Sequence, residues 1–238
     1  MTISDSVRTR IRAAPSFEGV DPDLLDRALA MTSPRHLNDE EFAFHRGEDG
    51  SKAYLILNGM VRISTLGESG KRIVVEIFRE HELFGELGVI DNAARTADAI
   101  AYGPAELLVI PNTAFNLLLD NSAAFGKHIL RMVTKRLRRT YSLLEDASLL
   151  NLELRLAKQV LYLMGLGATG GQRVRIHSRM HQEDLADLLG ATSRSIITIL
   201  NKWRTEQLAT FDGKSAQLTI LDLDRFRALV EPDARPAI

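Results

Sequence analysis

The run from Phe84 to Ala97, FGELGVIDNAARTA, holds residue types that can grip a small anion. Glycines at 85 and 88 let backbone amides approach an anion closely, and a short turn after Gly85 would aim those amides at it. Arg95 offers a planar fork for phosphate oxygens, and Thr96 adds a hydroxyl. Glu86 would repel a phosphate, so it fits only a ligand that also presents hydroxyls, as a ribose does. A second cluster, Gln182–Lys202, has the grammar of a helix-turn-helix. Ala186 is small where two helices must cross, Gly190 can take the left-handed conformation that ends the first, and Thr192 can cap the second. Ile196 with Ile199 and Leu200 would bury the inner face of the second helix, leaving Ser193, Arg194, Ser195, Thr198 and Lys202 outside. An arginine can read guanine edges, and the hydroxyls and backbone N–H groups can hold phosphates.

Between the two clusters, Leu130, Val133, Leu137, Thr140, Leu144 and Ala147 recur at alternating spacings of three and four. That is an a/d seam along one helix. A helix from Asn112 to Asp146 is on the order of 50 Å long and outreaches a small domain, so its seam calls for a two-fold mate. Thr140 is the polar exception: it either fixes the register of the pair or meets a ligand where the helix adjoins the first domain. The cluster Lys135, Arg136, Arg138 and Arg139 reads as a solvated flank, with Arg136 able to lean toward the anion site.

The elements that must position these groups follow from pattern. Ala53–Asn58, Met60–Thr65, Arg72–Phe78, Ala97–Tyr102 and Glu106–Ile110 read as short strands. Asn58-Gly59 and Gly67–Gly70 read as hairpin connections, together predicting a closed antiparallel roll. Beyond the seam come a helix over Leu150–Met164, the loop Gly165–Gly171 and a short strand Arg173–His177. The helix-turn-helix follows, then a hairpin at Asp212-Gly213 that can serve as a wing, and a frayed tail, Glu231–Ile238. The expected domains are 1–111, 112–147 for the seam helix, and 148–238.

Composition bounds the rest. With 45% apolar and 26% charged residues over 238 positions, the chain is an ordinary folded protein. A net charge of −1 excludes a chain that coats nucleic acid by bulk charge. Residues 1–147 carry 18 Lys/Arg against 21 Asp/Glu and residues 148–238 carry 12 against 10, which permits a C-terminal part facing nucleic acid. Zero cysteines exclude disulfides, thiolate iron–sulfur clusters and all-cysteine zinc sites. His36, His45, His81, His128, His177 and His181 are scattered singly, so a cupin-type metal enzyme has no ligand cluster. The opening residues lack an apolar core of signal-peptide type, and no apolar run nears the ~18 residues of a membrane span. A cytoplasmic protein without metal, and not an enzyme, is expected.

These residues resemble the cyclic-AMP receptor / fumarate-nitrate regulator family of bacterial transcription factors over about residues 16–228. The opener Gly47–Gly59 is similar to that family's first hairpin, and Phe84–Ala97 to its phosphate-binding cassette. The resemblance implies an α+β protein: an N-terminal antiparallel β-roll of jelly-roll type, a long dimerisation helix and a C-terminal winged helix-turn-helix. It implies a cyclic nucleotide effector, cyclic AMP with cyclic GMP or no nucleotide as alternatives, held by Gly85, Glu86, Leu87, Arg95, Thr96, Arg136, Thr140 and Tyr141. Gly85, Arg95 and Thr96 would hold the cyclic phosphate, Glu86 the ribose 2′-hydroxyl, and Thr140 the purine. Homodimerisation would use Leu130, Val133, Leu137, Thr140 and Leu144. A palindromic DNA operator would meet Thr192, Ser193, Arg194, Ser195, Thr198 and Lys202, with RNA polymerase as a further partner. Tyr141 stands where the best-known cyclic-AMP receptors carry serine, and Ser193, Arg194 and Thr198 depart from the usual recognition-helix pattern. The family's usual operator therefore does not transfer. The missing cysteines exclude its iron–sulfur branch.

Overall fold

The computed structural model describes residues 5–12, 14–67, 72–165, 174–175 and 181–230. The expected loop at 166–171, the turn at 68–70, most of the 173–177 strand and the tail at 231–238 lie outside them. The chain divides into two compact units, residues 1–66 with 74–139, and residues 67–73 with 140–238.

In the first unit α1 (Asp5–Arg12), a 3₁₀ turn and α2 (Pro22–Leu29) precede β1 (Ser33–Leu37), β2 (Phe42–Phe44), β3 (Lys52–Asn58), β4 (Met60–Leu66), β5 (Arg72–Arg79) and β6 (Leu83–Phe84). Then come α3 (Glu86–Asp91), β7 (Asp98–Ala101), β8 (Ala105–Pro111), α4 (Asn112–Asn121) and α5 (Ala123–Leu149). Two four-stranded sheets, ordered β1-β8-β3-β6 and β2-β7-β4-β5, make the roll. Phe44, Tyr54, Ile56, Phe78, Phe84 and Leu107 pack together in one core. Leu55, Leu57, Leu108 and Ile110 join a second core with the helices, through Leu25, Leu29, Phe115 and Phe125. Side chains alternate across a strand, so β3 feeds both cores in turn. Its residues 53–57 are all buried because each face has a cover.

Two expectations differ from the structure. Asn58-Gly59 is no hairpin: β3 and β4 lie in different sheets, and Gly59 is the corner between them. Its φ is +87° and an added Cβ would stand 2.4 Å from the Pro104 carbonyl oxygen, so only glycine lets the chain turn there. The seam helix does not run unbroken from Asn112. Ser122 is extended, at φ −131° and ψ 105°, and its Oγ accepts the Phe125 N–H at 3.2 Å, which starts α5 afresh. Val133 is half-buried and packs against the helical core. Leu130, Leu137 and Leu144, seven residues apart, remain 67%, 50% and 66% exposed.

The second unit holds the end of α5, α6 (Leu152–Gly165), β9 (Val174–Arg175), α7 (Gln182–Leu189), α8 (Ser193–Thr205), β10 (Ala209–Asp212), β11 (Gln217–Ile220) and α9 (Leu223–Ala228). The sheet order β10-β11-β9 puts a wing beside the helix pair. Trp203, fully buried, meets Phe226 edge-on at 4.9 Å between ring centroids. Among the described residues no helix is long and apolar enough to cross a membrane.

Candidate functional site

Arg95 lies in the loop between α3 and β7, and its backbone is clasped on both sides. Its N–H donates to the Glu48 carbonyl and its carbonyl accepts from Gly47 N–H, each at 2.9 Å. The side chain turns inward and is 5% exposed. Nη1 donates to the Gly85 carbonyl at 2.7 Å and Nη2 to that of Lys52, while the guanidinium lies over the Phe44 ring, 4.1 Å from its centroid. Burial pulls its pKa down and pushes the neighbouring Tyr54 phenol up. Its Nε is buried with no hydrogen-bond partner, and among the described residues no carboxylate forms an ion pair with it. A buried cation with an unused donor and no ion pair, its charge eased only at longer range by Asp49 and Glu48, is chemically suited to an incoming anion.

Glycine geometry shapes this cradle. Gly85 sits at φ +75°, and an added Cβ would stand 3.1 Å from Arg95 Nη1 and 3.3 Å from the Phe44 and Tyr54 rings. A side chain there would push on the guanidinium. Gly88 makes a close backbone approach of its own. Its Cα would lie 2.7 Å from a Cβ on Gly50, whose nearest neighbour would be the Ala93 carbonyl at 2.2 Å. Gly88 and Gly50 therefore let two backbones touch.

Glu86 is 2% exposed and already partnered. Arg136, from α5, donates Nη1 to its Oε1 at 2.7 Å and Nη2 to the Leu83 carbonyl at 2.5 Å, and lies 4.3 Å from the Phe78 ring centroid. The structure thus brings Gly85 and Arg95 together, and Glu86 and Arg136 together. Leu87 and Thr96 are exposed, and Thr140 and Tyr141 are exposed in the second unit.

In the helix-turn-helix, Gly190 at φ +59° ends α7, and Ala191 N–H reaches back to the Ala186 carbonyl at 2.9 Å. Thr192 caps α8: its Oγ1 accepts Ser195 N–H at 3.2 Å and shares a hydrogen with the Ser195 hydroxyl at 2.9 Å. Ile196, Leu200 and Trp203 form the buried stripe, while Ile199 is half-buried. Arg194, Thr198 and Lys202 are exposed as expected, and Lys202 Nζ also donates to Glu153 Oε2 at 2.7 Å. Glu153 hydrogen bonding raises the Lys202 pKa. Its other oxygen accepts Trp203 Nε1–H at 3.0 Å, and Arg155, one half-turn on, donates to the Leu189 carbonyl at 2.8 Å. The first turn of α6 therefore brackets both helices of the motif.

Comparison with known proteins matches residues 34–122 to the cyclic nucleotide-binding domain and residues 154–229 to the Crp-like helix-turn-helix domain. Both signatures occur in one chain, in the order that the geometry shows. The chain belongs to the cyclic-AMP receptor / fumarate-nitrate regulator family. It is a transcription regulator and not an enzyme, which disposes of the cupin alternative. It is similar to the CRP-like cAMP-activated global transcriptional regulator of Mycobacterium tuberculosis, at 26% identity over 85% of this chain and 91% of that one. It is also similar to the global nitrogen regulator of Nostoc, at 24% identity over 72% of this chain and 78% of the other. The solved structure of FixK2 from Bradyrhizobium japonicum shares the fold, with a TM-score of 0.75 at 18% identity, covering 87% of this chain and all of that one.

Within this family frame, several residues escaped sequence reading. Phe44, Tyr54 and Lys52 cradle Arg95 from strands that pattern alone marks only as core. Glu153 is another such residue, and the chain's single tryptophan is the clue to it, since Trp203 extends the i, i+4, i+7 series from Ile196 and must find a partner for its indole N–H when buried. Glu153→Ala is expected to leave that donor unsatisfied and lower stability by about 1–3 kcal/mol in urea denaturation. Glu153→Gln, which retains an acceptor, is expected to lose less than half of that.

Proposed function

We propose that the protein is a homodimeric regulator gated by a cyclic nucleotide, cyclic AMP in particular, which controls how two α8 helices meet DNA. The observation that carries the reading is Arg95, a buried guanidinium whose Nε has no hydrogen-bond partner and which forms no ion pair with a carboxylate among the described residues. The glycine at 85 that makes room for it and the cyclic nucleotide-binding match support the same chemistry. The cyclic phosphate takes Arg95, with Thr96 adding its hydroxyl at the rim and Leu87 an apolar contact. Glu86 receives the ribose 2′-hydroxyl, which then competes with Arg136 for the carboxylate. Since Arg136 belongs to α5, that competition couples the ligand to the helix carrying the exposed leucines 130, 137 and 144. Those leucines, with Val133 and Thr140, form the dimer seam, and Thr140 with Tyr141 receives the base. Thr192, Ser193, Arg194, Ser195, Thr198 and Lys202 contact a palindromic operator, with RNA polymerase a further partner, in the cytoplasm. The mycobacterial relative is cAMP-activated, which favours cyclic AMP over cyclic GMP here.

Isothermal calorimetry with cyclic AMP and cyclic GMP tests the assignment: one site per protomer and tighter cyclic AMP binding are expected, and heat from neither nucleotide would contradict it. Thr140→Ala is expected to reduce the cyclic-AMP enhancement of DNA binding more than it reduces cyclic-AMP affinity, both read on one protein preparation. Equal losses would make Thr140 a binding residue and not part of the switch.

A further inference from the structure

Helix α8 carries an apolar side chain in the middle of its outward face. Arg194, Ile197, Thr198 and Asn201 are spaced i, i+3, i+4 and i+7, so they form one stripe, and all four are exposed. The opposite stripe, Ile196, Leu200 and Trp203, is committed to the domain core. Ile197 is 38% exposed, and among the described residues after Leu149 it is the only large apolar side chain with such exposure. Single exposed apolar residues are commonplace, so exposure alone argues nothing. The neighbours decide the matter. An arginine and an asparagine on the same stripe are the side chains that read guanine and adenine edges, on the helix that such domains lay in the major groove. The apolar group that this groove presents at base edges is the thymine C5-methyl. Thr198 reinforces the point, because its hydroxyl donates to the Arg194 carbonyl at 3.0 Å and spends its proton on the helix itself. Lys202, meanwhile, is drawn toward Glu153 on α6.

We infer that Ile197 is a specificity-determining residue that packs on a thymine C5-methyl group, with Arg194 and Asn201 reading the flanking bases. The inference rests on the DNA-reading role of α8. Duplexes are selected from a random pool by the full-length protein, with and without cyclic AMP, and the best one is resynthesised with each thymine replaced singly by uracil. Uracil removes the methyl group and leaves the base pair unchanged. For the wild-type protein one position per half-site is expected to lose about fourfold in affinity on that replacement, the equivalent of one apolar carbon returned to water. Ile197→Ala is expected to bind thymine and uracil duplexes equally at that position. A merely structural effect of the substitution would weaken all duplexes and leave the uracil penalty in place, which would overturn the inference, as would a wild-type protein indifferent to uracil everywhere. Enrichment of no duplex in either arm would overturn the DNA-reading role itself, a result distinct from the other two.

Discussion

Arg95→Leu is expected to lower cyclic-AMP affinity by at least about 100-fold and to destabilise the roll at the same time. The loss of binding follows from two charge-assisted hydrogen bonds to a phosphate, each worth about 1.5–3 kcal/mol. The loss of stability follows from what Arg95 already does without a ligand. Its guanidinium satisfies the Gly85 and Lys52 carbonyls and lies on the Phe44 ring. Two part-buried acceptors left unpaired cost up to about 1–3 kcal/mol each, and the melting temperature of a chain this size falls by about 2–4 °C per kcal/mol. Leucine recovers part of that by removing a buried cation. Arg95→Lys keeps the charge but not the fork, so it is expected to bind weakly while melting nearer the wild type. Calorimetry beside thermal denaturation separates the two losses. A folded Arg95→Leu protein that bound cyclic AMP within about threefold of wild type would remove Arg95 from the phosphate site.

Arg136→Ala is expected to be among the most destabilising single substitutions outside the two cores. It strands the Glu86 carboxylate, 2% exposed, without its cation, and takes a donor from the Leu83 carbonyl. Removing one partner of a buried pair costs about 3–5 kcal/mol, and the partial exposure of Arg136 places this case at the lower end. The double substitution Glu86→Gln with Arg136→Met is expected to regain most of that stability in urea denaturation, because no charge is left buried alone. It is also expected to bind cyclic AMP poorly, because the ribose acceptor has lost its charge. Stability restored together with full affinity would show that the pair serves folding alone. The two substitutions act on neighbouring parts of one loop–helix assembly, so their effects are not expected to add.

How much of this was legible beforehand depended on whether a residue's role was local. The αL glycine at 190, the Thr192 cap and the Gln182–Leu189 helix are local, and they stand where the spacing put them. The strands of the roll were readable to within a residue or two at most ends because each alternates or carries turn residues at its limits. Strand β1 was not, since Ser33–Leu37 contains Pro34 and shows no alternation. It survives at a sheet edge, where a proline's missing N–H is tolerated. Asn58-Gly59 misled because a left-handed glycine serves a hairpin and a sheet-to-sheet corner alike, and only the approach of Pro104 separates them. Glu86 and Arg136 are fifty residues apart, and one-dimensional spacing does not reveal that their charges meet. The same holds for the pairing of Glu153 with Lys202, forty-nine residues apart.

The central claim is that a nucleotide in the Arg95 cradle changes what α8 does to DNA. Fluorescence anisotropy of one selected duplex, titrated with the full-length protein at zero and at saturating cyclic AMP, measures that coupling directly. The account predicts a DNA affinity about 5–150-fold higher with the nucleotide, the range of an ordinary allosteric coupling, and no enhancement for Arg95→Leu. The same DNA affinity in both arms of the wild-type titration would contradict it.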